Sequence, residues 1–486
     1  MSADHLSTDQ NRCLRRAYLR AFRRSEEGSV TVFSCFLILM MLMICGIAVD
    51  LMQNELMRTR VQNTLDRAIL AASDIEQPLP ADEVVDDYFL KAGMTDFLDT
   101  VEITPGDDLP TTNYRMVEAY AATTTPSPYM RMTGVSSLPV FALGIAEESI
   151  ENTEISMVLD TSASMHGSKI ANMKVAAKDF VTAVLDGNAG LTTSINIVPY
   201  GGHVNPGPVV YGLAGGIDFS SHYENADGDV VVYGFTTTDE DGNEFEIPYN
   251  SFMHCLELPA SEYTDMNLPA GGFNQTPYFS NWGNTRAGTD WGWCPYDNMA
   301  ISYAQNNLTS MHTYIENFRL NDGTGTNIAM KYGVALLNPT SNSTFRTLND
   351  NGLVPDSFTD RPAAFDDERT RKVIVLMTDG GITAQFRPEV LIDPDNATDR
   401  LQSRTSERTT VHNRSTTLAQ FYAQCDLAKA NGIQIYTIAF EAPTNVQNEM
   451  RNCATAPGFF YDVRGVEIST AFKAIARQIN QLRLTQ

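Results

Sequence analysis

The stretch Met157–Met165, read MVLDTSASM, decides the fold, because an apolar run ends in Asp160 and is followed by hydroxyls at alternate positions, Ser162 and Ser164. Ile155, Met157, Val158 and Leu159 read as a strand buried on both faces, the mark of a parallel sheet covered by helices. Such a strand delivers Asp160 to its carboxyl edge, where open α/β folds bind ligands. A carboxylate and two hydroxyls are oxygen donors, a set that suits Mg²⁺ or Mn²⁺ better than Zn²⁺, which favours His and Cys. The plainer reading is that these residues cap the following helix. A cap needs one oxygen, and two further segments supply more.

In LNDGTGTNIAMKYGVALLNP, Gly325 and Thr326 open a helix after a Gly-rich turn and offer a third hydroxyl. In RKVIVLMTDGG, a second apolar run, Val373 to Met377, ends in Thr378 and Asp379, so another carboxylate reaches the same sheet edge. These segments converge if the fold is doubly wound. In this order they resemble the von Willebrand factor A-like family, whose metal-ion-dependent adhesion site reads DxSxS, then a distant Thr, then a distant Asp. Residue by residue, Asp160, Ser162, Ser164, Thr326 and Asp379 match that pattern. The resemblance implies an α/β, doubly wound (Rossmann-like) domain holding Mg²⁺, with Mn²⁺ or Ca²⁺ as alternatives, and one coordination position left for a partner's carboxylate. The next segment fits a helix on that sheet: Ile170, Met173, Ala177, Phe180, Val181 and Val184 recur at helical steps, with Lys169, Lys174 and Lys178 read as its solvated face.

The chain has 486 residues, enough for two or three domains, and its net charge of −25 argues against a nucleic-acid partner, which calls for a basic surface. The N-terminus differs. From Val30 to Val49 no charge interrupts VTVFSCFLILMMLMICGIAV, and at ~1.5 Å per residue a helix of this length crosses the ~30 Å hydrocarbon core. Arg12, Arg15, Arg16, Arg20, Arg23 and Arg24 precede it, while Asp50 and Glu55 follow, which places the N-terminus in the cytoplasm. A secretory signal peptide is the rival, but its apolar core is usually only ~7–15 residues and ends in a small-residue cleavage site. Beyond Leu51 the helix continues with an apolar seam, Met57, Val61, Leu65, Ala68 and Ala72, that needs a partner surface. The order EGSVTVF, apolar span, AVDLMQNELMRTRVQNTLDRAILAAS resembles the N-terminal segment of TadE/TadG-like proteins of tight-adherence (Tad, or Flp) pilus assembly. In related pseudopilins a Gly before the span is a peptidase site with a Glu five residues on. Here Gly28 is followed by Phe33 at that place, which argues against processing.

The expected organisation is a basic cytoplasmic tail (1–28), a transmembrane helix (29–50), a pilin-like extension (51–75), a small β-rich connector (76–150) and the A-like domain (151–486) with insertions at about 201–299 and 385–415. The connector carries Pro78, Pro80, Pro105, Pro110, Pro126, Pro128 and Pro139 between β-prone runs such as 101–104 and 138–143. The first insertion holds Trp282, Trp291 and Trp293, read as its own small core in preference to a partner surface, and the acidic turns NADGD and TTDEDGNEFEI. After Asp239 the Gly sits fourth, not sixth, so a β-hairpin fits better than a Ca²⁺ loop. The second insertion, rich in Arg, Asp and Thr, reads as a solvated loop. Cys13 lies on the cytoplasmic side and Cys35 and Cys45 in the span, leaving Cys255, Cys294, Cys425 and Cys453 outside, where disulfides form. Three pairings are possible, and proximity favours Cys255 with Cys294 and Cys425 with Cys453.

At the C-terminus, Ile468, Phe472, Ile475 and Ile479 mark a last amphipathic helix, and CDLAKANGIQIYTIAF also resembles TadG-like proteins. The resemblance implies an inner-membrane protein of a Gram-negative bacterium whose periplasmic domain binds pilus assembly machinery through its metal. A membrane-anchored A-domain adhesin, or a chaperone-like protein of another system, shares every A-domain feature. Catalysis is disfavoured, because there is no GxSxG elbow for a serine-type hydrolase, and without GxxxxGK[ST] there is no nucleotide site.

Overall fold

The computed structural model describes residues 16–20, 23, 27–74, 77–104, 114–149, 152–186, 192–238, 242–281, 289–290, 292–367 and 369–481. Arg12, Arg15, Arg24, Cys13, Pro105, Pro110, Asp239, Trp282 and Trp291 lie outside the described residues. The chain divides into two compact units, Met1–Ser149 and Ile150–Gln486.

In the first unit a single helix, α1 (Glu27–Ser73), carries both the apolar run and the amphipathic seam. By length and composition it is one helix able to cross a membrane; a signal sequence meets the same description. Past the apolar run, Val61, Leu65, Ala68, Ile69 and Ala72 are buried, with Met57 partly so, and the surface they meet is built from the rest of the unit. It comprises a helix, α2 (Ala81–Lys91), and an antiparallel sheet of β1 (Leu98–Thr104), β2 (Tyr114–Pro126) and β3 (Ser137–Ser149) in that order. The sheet's inner face is lined by Val117, Ala119, Ala121, Val140, Ala142 and Ala146. These small side chains bring the helix close. A Cβ added at Gly144 would stand 2.6 Å from Ile69 Cδ1. Sequence reading assigns only strands to 76–150; α2 is the addition, and Val84, Val85 and Phe89 on one side of it close the seam.

The second unit is wound about six strands, β4 (Asn152–Asp160), β5 (Thr193–Tyr200), β6 (Ser302–Gln305), β7 (Thr370–Thr378), β8 (Gln434–Phe440) and β9 (Phe460–Val463), ordered β6-β5-β4-β7-β8-β9. All neighbours are parallel except β6, which runs antiparallel at the edge. The strand order reverses between β4 and β7, the switch point where doubly wound sheets place ligands. Alternation along the strands supplies two cores. Ile155, Met157, Leu159, Val373, Val375, Met377 and Ile438 face helices α3 (Ser168–Val184), α4 (Leu308–Glu316) and α8 (Glu467–Gln481). Val158, Val198, Ile374, Leu376 and Ile435 face α5 (Thr326–Ala335), α6 (Arg414–Ala430) and α7 (Thr444–Cys453). Burying each such aliphatic side chain contributes about 1.5–3 kcal/mol, so the near-continuous apolar runs of β4 and β7 are what commit them to the sheet's centre. The expected stripes fall as read: Met173, Phe180, Val181 and Val184 on α3, and Ile468, Phe472, Ile475 and Ile479 on α8, are buried.

Between β5 and β6 the first insertion forms short hairpins, His222–Glu224 with Val230–Val232 and Gly234–Thr238 with Glu244–Pro248. NADGD is the turn of the first. Cys255 is bonded to Cys294, and Cys425 to Cys453. Trp293 is 1% exposed and packs with Phe279 and Leu401, so it belongs to an internal core. Leu401 comes from the second insertion, which corrects the reading of that segment as a solvated loop. Gln385–Pro388 pairs with Arg408–His412, and Ser280 N donates to Asn396 O while Leu401 N donates to Ser280 O, at 2.8 and 2.9 Å. Its charges are used internally: Arg404 bonds Asp393 at 2.8 Å and Asn396 at 3.1 Å.

Candidate functional site

At the carboxyl ends of β4 and β7 the register pairs Leu159 with Met377 and Asp160 with Tyr200 of β5, so three strand ends open at one level. Asp160 is fully buried there. Its Oδ1 accepts from Ser162 N at 2.7 Å and its Oδ2 from Thr378 Oγ1 at 2.6 Å. Ser162 begins a 3₁₀ turn, Ala163–Met165, which brings Ser164 back beside it, with Oγ to Oγ 2.9 Å. Ser164 Oγ donates to Asp379 Oδ1 at 2.6 Å. Asp160, Ser162, Ser164 and Asp379, from two distant segments, thus lie in one connected cluster.

Thr326 opens α5 and is also fully buried, but it bonds to none of these four. Its link is Tyr200, whose Oη lies 3.5 Å from Thr326 Oγ1 and donates to Met377 O at 3.3 Å. The loop before Thr326 is held by backbone bonds, Gly202 N to Asp322 O and Gly325 N to Gly201 O, both 2.7 Å, and Asn321 N to Thr161 O, 2.8 Å. Gly325 is required by this approach, since a Cβ there would stand 2.1 Å from Gly202 O. Thr383 N to Thr324 O at 3.1 Å ties the same loop to the one after Asp379.

Electrostatics set the character of the rim. Burial first, and the Asp379 carboxylate second, push Asp160 up to about 7, while the hydrogen bonds from Ser162 and Thr378 oppose the rise. Tyr200 is pushed up by burial and then by Asp160. Against Asp379 stands Lys169, Nζ to Oδ2 2.6 Å, with a side chain 23% exposed. This corrects one expectation: Lys174 and Lys178 reach Glu316 on the outside of α3, but Lys169 belongs to the site. Thr378, Tyr200 and Lys169 are the members that motif reading misses. Thr378 directly precedes Asp379, and Lys169 opens α3 next to the DTSAS turn, but neither type is diagnostic without the register. His166, nearest the serines in sequence, is exposed, and among the described residues no histidine ring bonds to either serine.

Among the described residues no three of His, Cys, Asp and Glu cluster as metal ligands. The side chains brought together here are two carboxylates and hydroxyls, all oxygen, a set of the kind that hard divalent cations favour. Two acidic groups held within reach of one another in a buried rim, one of them driven toward its neutral form, are what such a cation would relieve.

Residues 28–74 match the family described as "Tad: Putative Flp pilus-assembly TadE/G-like". Over this segment the chain is similar to TadE/G-like proteins, as its residue order suggests, and the second unit is a doubly wound α/β domain. Comparison with curated proteins gives no match. Among solved structures, the pilus adhesin SpaC of Lactobacillus rhamnosus GG is 11% identical with a TM-score of 0.31, over 79% of this chain and 34% of SpaC. The vWF domain of the type V pili tip protein Mfa5 of Porphyromonas gingivalis is 12% identical with a TM-score of 0.33, over 68% of this chain and 96% of that domain. Proximal thread matrix protein 1 of the mussel byssus, with a zinc-occupied MIDAS motif, is 11% identical with a TM-score of 0.27, over 67% of this chain and 46% of that one. This chain spans about a third of the length of SpaC, and none of these likenesses carries a residue role or a ligand to it.

Proposed function

We propose that this protein is a membrane-anchored component of Flp/Tad pilus assembly, with α1 in the bacterial inner membrane, its N-terminus cytoplasmic and its main body periplasmic. In this reading the A-like unit binds a protein of the assembly machinery. The rim holds a divalent cation, Mg²⁺ first, through Asp160, Ser162, Ser164, Thr326 and Asp379, and the cation supplies an electrophilic position for a partner's carboxylate. The observation that carries this is the hydrogen-bonded chain from Asp160 through Thr378 and from Ser162 through Ser164 to Asp379, at the switch point of the sheet. The family match of residues 28–74 supports the pilus setting. Asp160 and Asp379 supply negative charge, the serines and Thr326 supply neutral donors that leave the cation's charge unquenched, and Lys169 holds Asp379 in place. The role in this reading is binding and not catalysis; among the described residues no histidine ring bonds to either serine.

Titration calorimetry with Mg²⁺ and Mn²⁺ on the folded protein tests the metal. Asp160→Ala should abolish the binding heat while circular dichroism stays that of the parent. A membrane pull-down with and without chelator tests the partner, and capture that survives chelation would refute carboxylate capture through a metal.

A further inference from the structure

The turn joining β2 to β3, residues 127–136, is fastened to α1 at the end of the apolar run. Asp50, 1% exposed, accepts from Tyr129 N at 2.9 Å and from Met130 N at 2.7 Å through Oδ2. One helical turn before it, the Tyr129 ring lies on Gly46, where an added Cβ would come within 2.6 Å of the ring. One turn after it, Asn54 Nδ2 donates to Thr125 Oγ1 at 2.8 Å. Positions 46, 50 and 54 share a helix face. The turn is also closed on itself, by Ser127 N to Ser136 O at 3.1 Å and Ser127 Oγ to Val135 O at 2.8 Å. Its outward side chains stay uncovered: Tyr129 is 50%, Met132 77% and Val135 36% exposed, with Arg131 exposed among them.

Gly46 lies three residues before the end of the run Val30–Val49, so by helical rise the Tyr129 ring sits about 5 Å inside that end. If α1 spans a bilayer, this is the boundary between acyl chains and headgroups. We propose that the β2–β3 turn is a second, interfacial contact with the phospholipid bilayer: Tyr129, Met132 and Val135 enter the boundary layer, and Arg131 reaches lipid phosphate. The inference rests on reading α1 as a membrane span. Continuity with that span selects lipid as the occupant, because the turn is fixed to α1 at a depth where lipid surrounds it. The residue types agree: tyrosine concentrates at membrane interfaces, and arginine buries its stem while keeping its charge at the headgroups. A span with one contact is free to tilt and rotate. A turn pinned at Gly46, Asp50 and Asn54 converts it into a two-point mount that fixes the orientation of the first unit.

The test uses the full chain in phosphatidylcholine vesicles with and without brominated acyl chains, reading tryptophan emission added over the parent protein. Leu42→Trp reports the span and Met132→Trp the turn. Both should lose most of their added emission, Leu42→Trp to bromines deep in the chains and Met132→Trp to bromines near the headgroups. Quenching of Leu42→Trp without quenching of Met132→Trp overturns the inference and leaves the anchor standing. Loss of neither signal overturns the anchor itself. A Met132→Trp signal shielded from both bromolipid and aqueous acrylamide means that protein covers the turn, which also overturns lipid as its occupant.

Discussion

The rim of the β4–β7 sheet and the core of the first insertion lie within one unit and are stabilised in opposite ways. The insertion is closed by Cys255–Cys294 and filled with rings: Tyr249 stacks on Tyr278 at 3.8 Å, and Trp293 meets Phe279 at 5.0 Å. The rim is polar, with a carboxylate held toward its neutral form by burial first and then by a second one nearby. Apolar packing holds the first region, while the second keeps two carboxylates close together with one lysine against them. Stability is therefore concentrated away from the place where binding is proposed.

The comparison can be broken from the packed side first. Trp293→Ala should cost about 3–5 kcal/mol, the largest effect here, read as a lower urea midpoint. Replacing Cys255 and Cys294 by serine should cost about 2–4 kcal/mol in the same measurement, with the rim's metal affinity kept. The rim should respond in the other sense. With chelator present, Asp160 has a folded pKa of about 7 against an ordinary 3.8, so its contribution is fully present below about 3.8 and is lost as pH rises through 7. His203, pushed down to about 3 by burial and then by His412, acts oppositely, costing stability as pH falls below 6.5. Asp160→Asn should remove only the first of these, making the metal-free protein more resistant to urea at pH 8 than the parent. That advantage should shrink or reverse once Mg²⁺ is added to both, because only the parent gains binding free energy. Lys178→Ala, which removes a partly exposed pair with Glu316, should shift stability by less than about 1 kcal/mol.

Much of the second unit is legible in the sequence because β4 and β7 are so apolar that only a sheet covered on both faces accommodates them, and because α3 and α8 repeat cleanly. The antiparallel β6 is harder to see: Ser302–Gln305 is short, and Ala304 adopts a positive φ of 43° beside a break in register. In the rim, DTSAS and Asp379 are readable from spacing, since strand ends dictate where they fall. Lys169 is not, because whether a lysine at a helix start faces water or a carboxylate is decided by the turn that precedes it. The second insertion misleads for a related reason. Its arginines look solvated in sequence, while Leu401 and Phe386 pack with Trp293, and Ile392 and Ala397 reach the cluster around Cys255 and Cys294.

β5 and β6 are adjacent antiparallel strands, Ile197 opposite Ser302, and Ile301 N donates to Asn205 O at 2.9 Å. The whole first insertion is in effect an enlarged hairpin loop, entering and leaving the sheet at neighbouring points. Within that loop the hairpins at 222–248 stand on the insertion's own core, so they can be exchanged or trimmed over evolutionary time with little disturbance to the strands beneath. Other parts are fastened below: Tyr211, Leu258 and Tyr263 join the core that packs on α5 and α6, Lys331 Nζ donates to Asp265 Oδ1 at 2.9 Å, and Trp293 lies against Gly202 and Gly323 behind the Thr326 loop. Grafts that keep these buttresses would be free to vary the hairpins at 222–248.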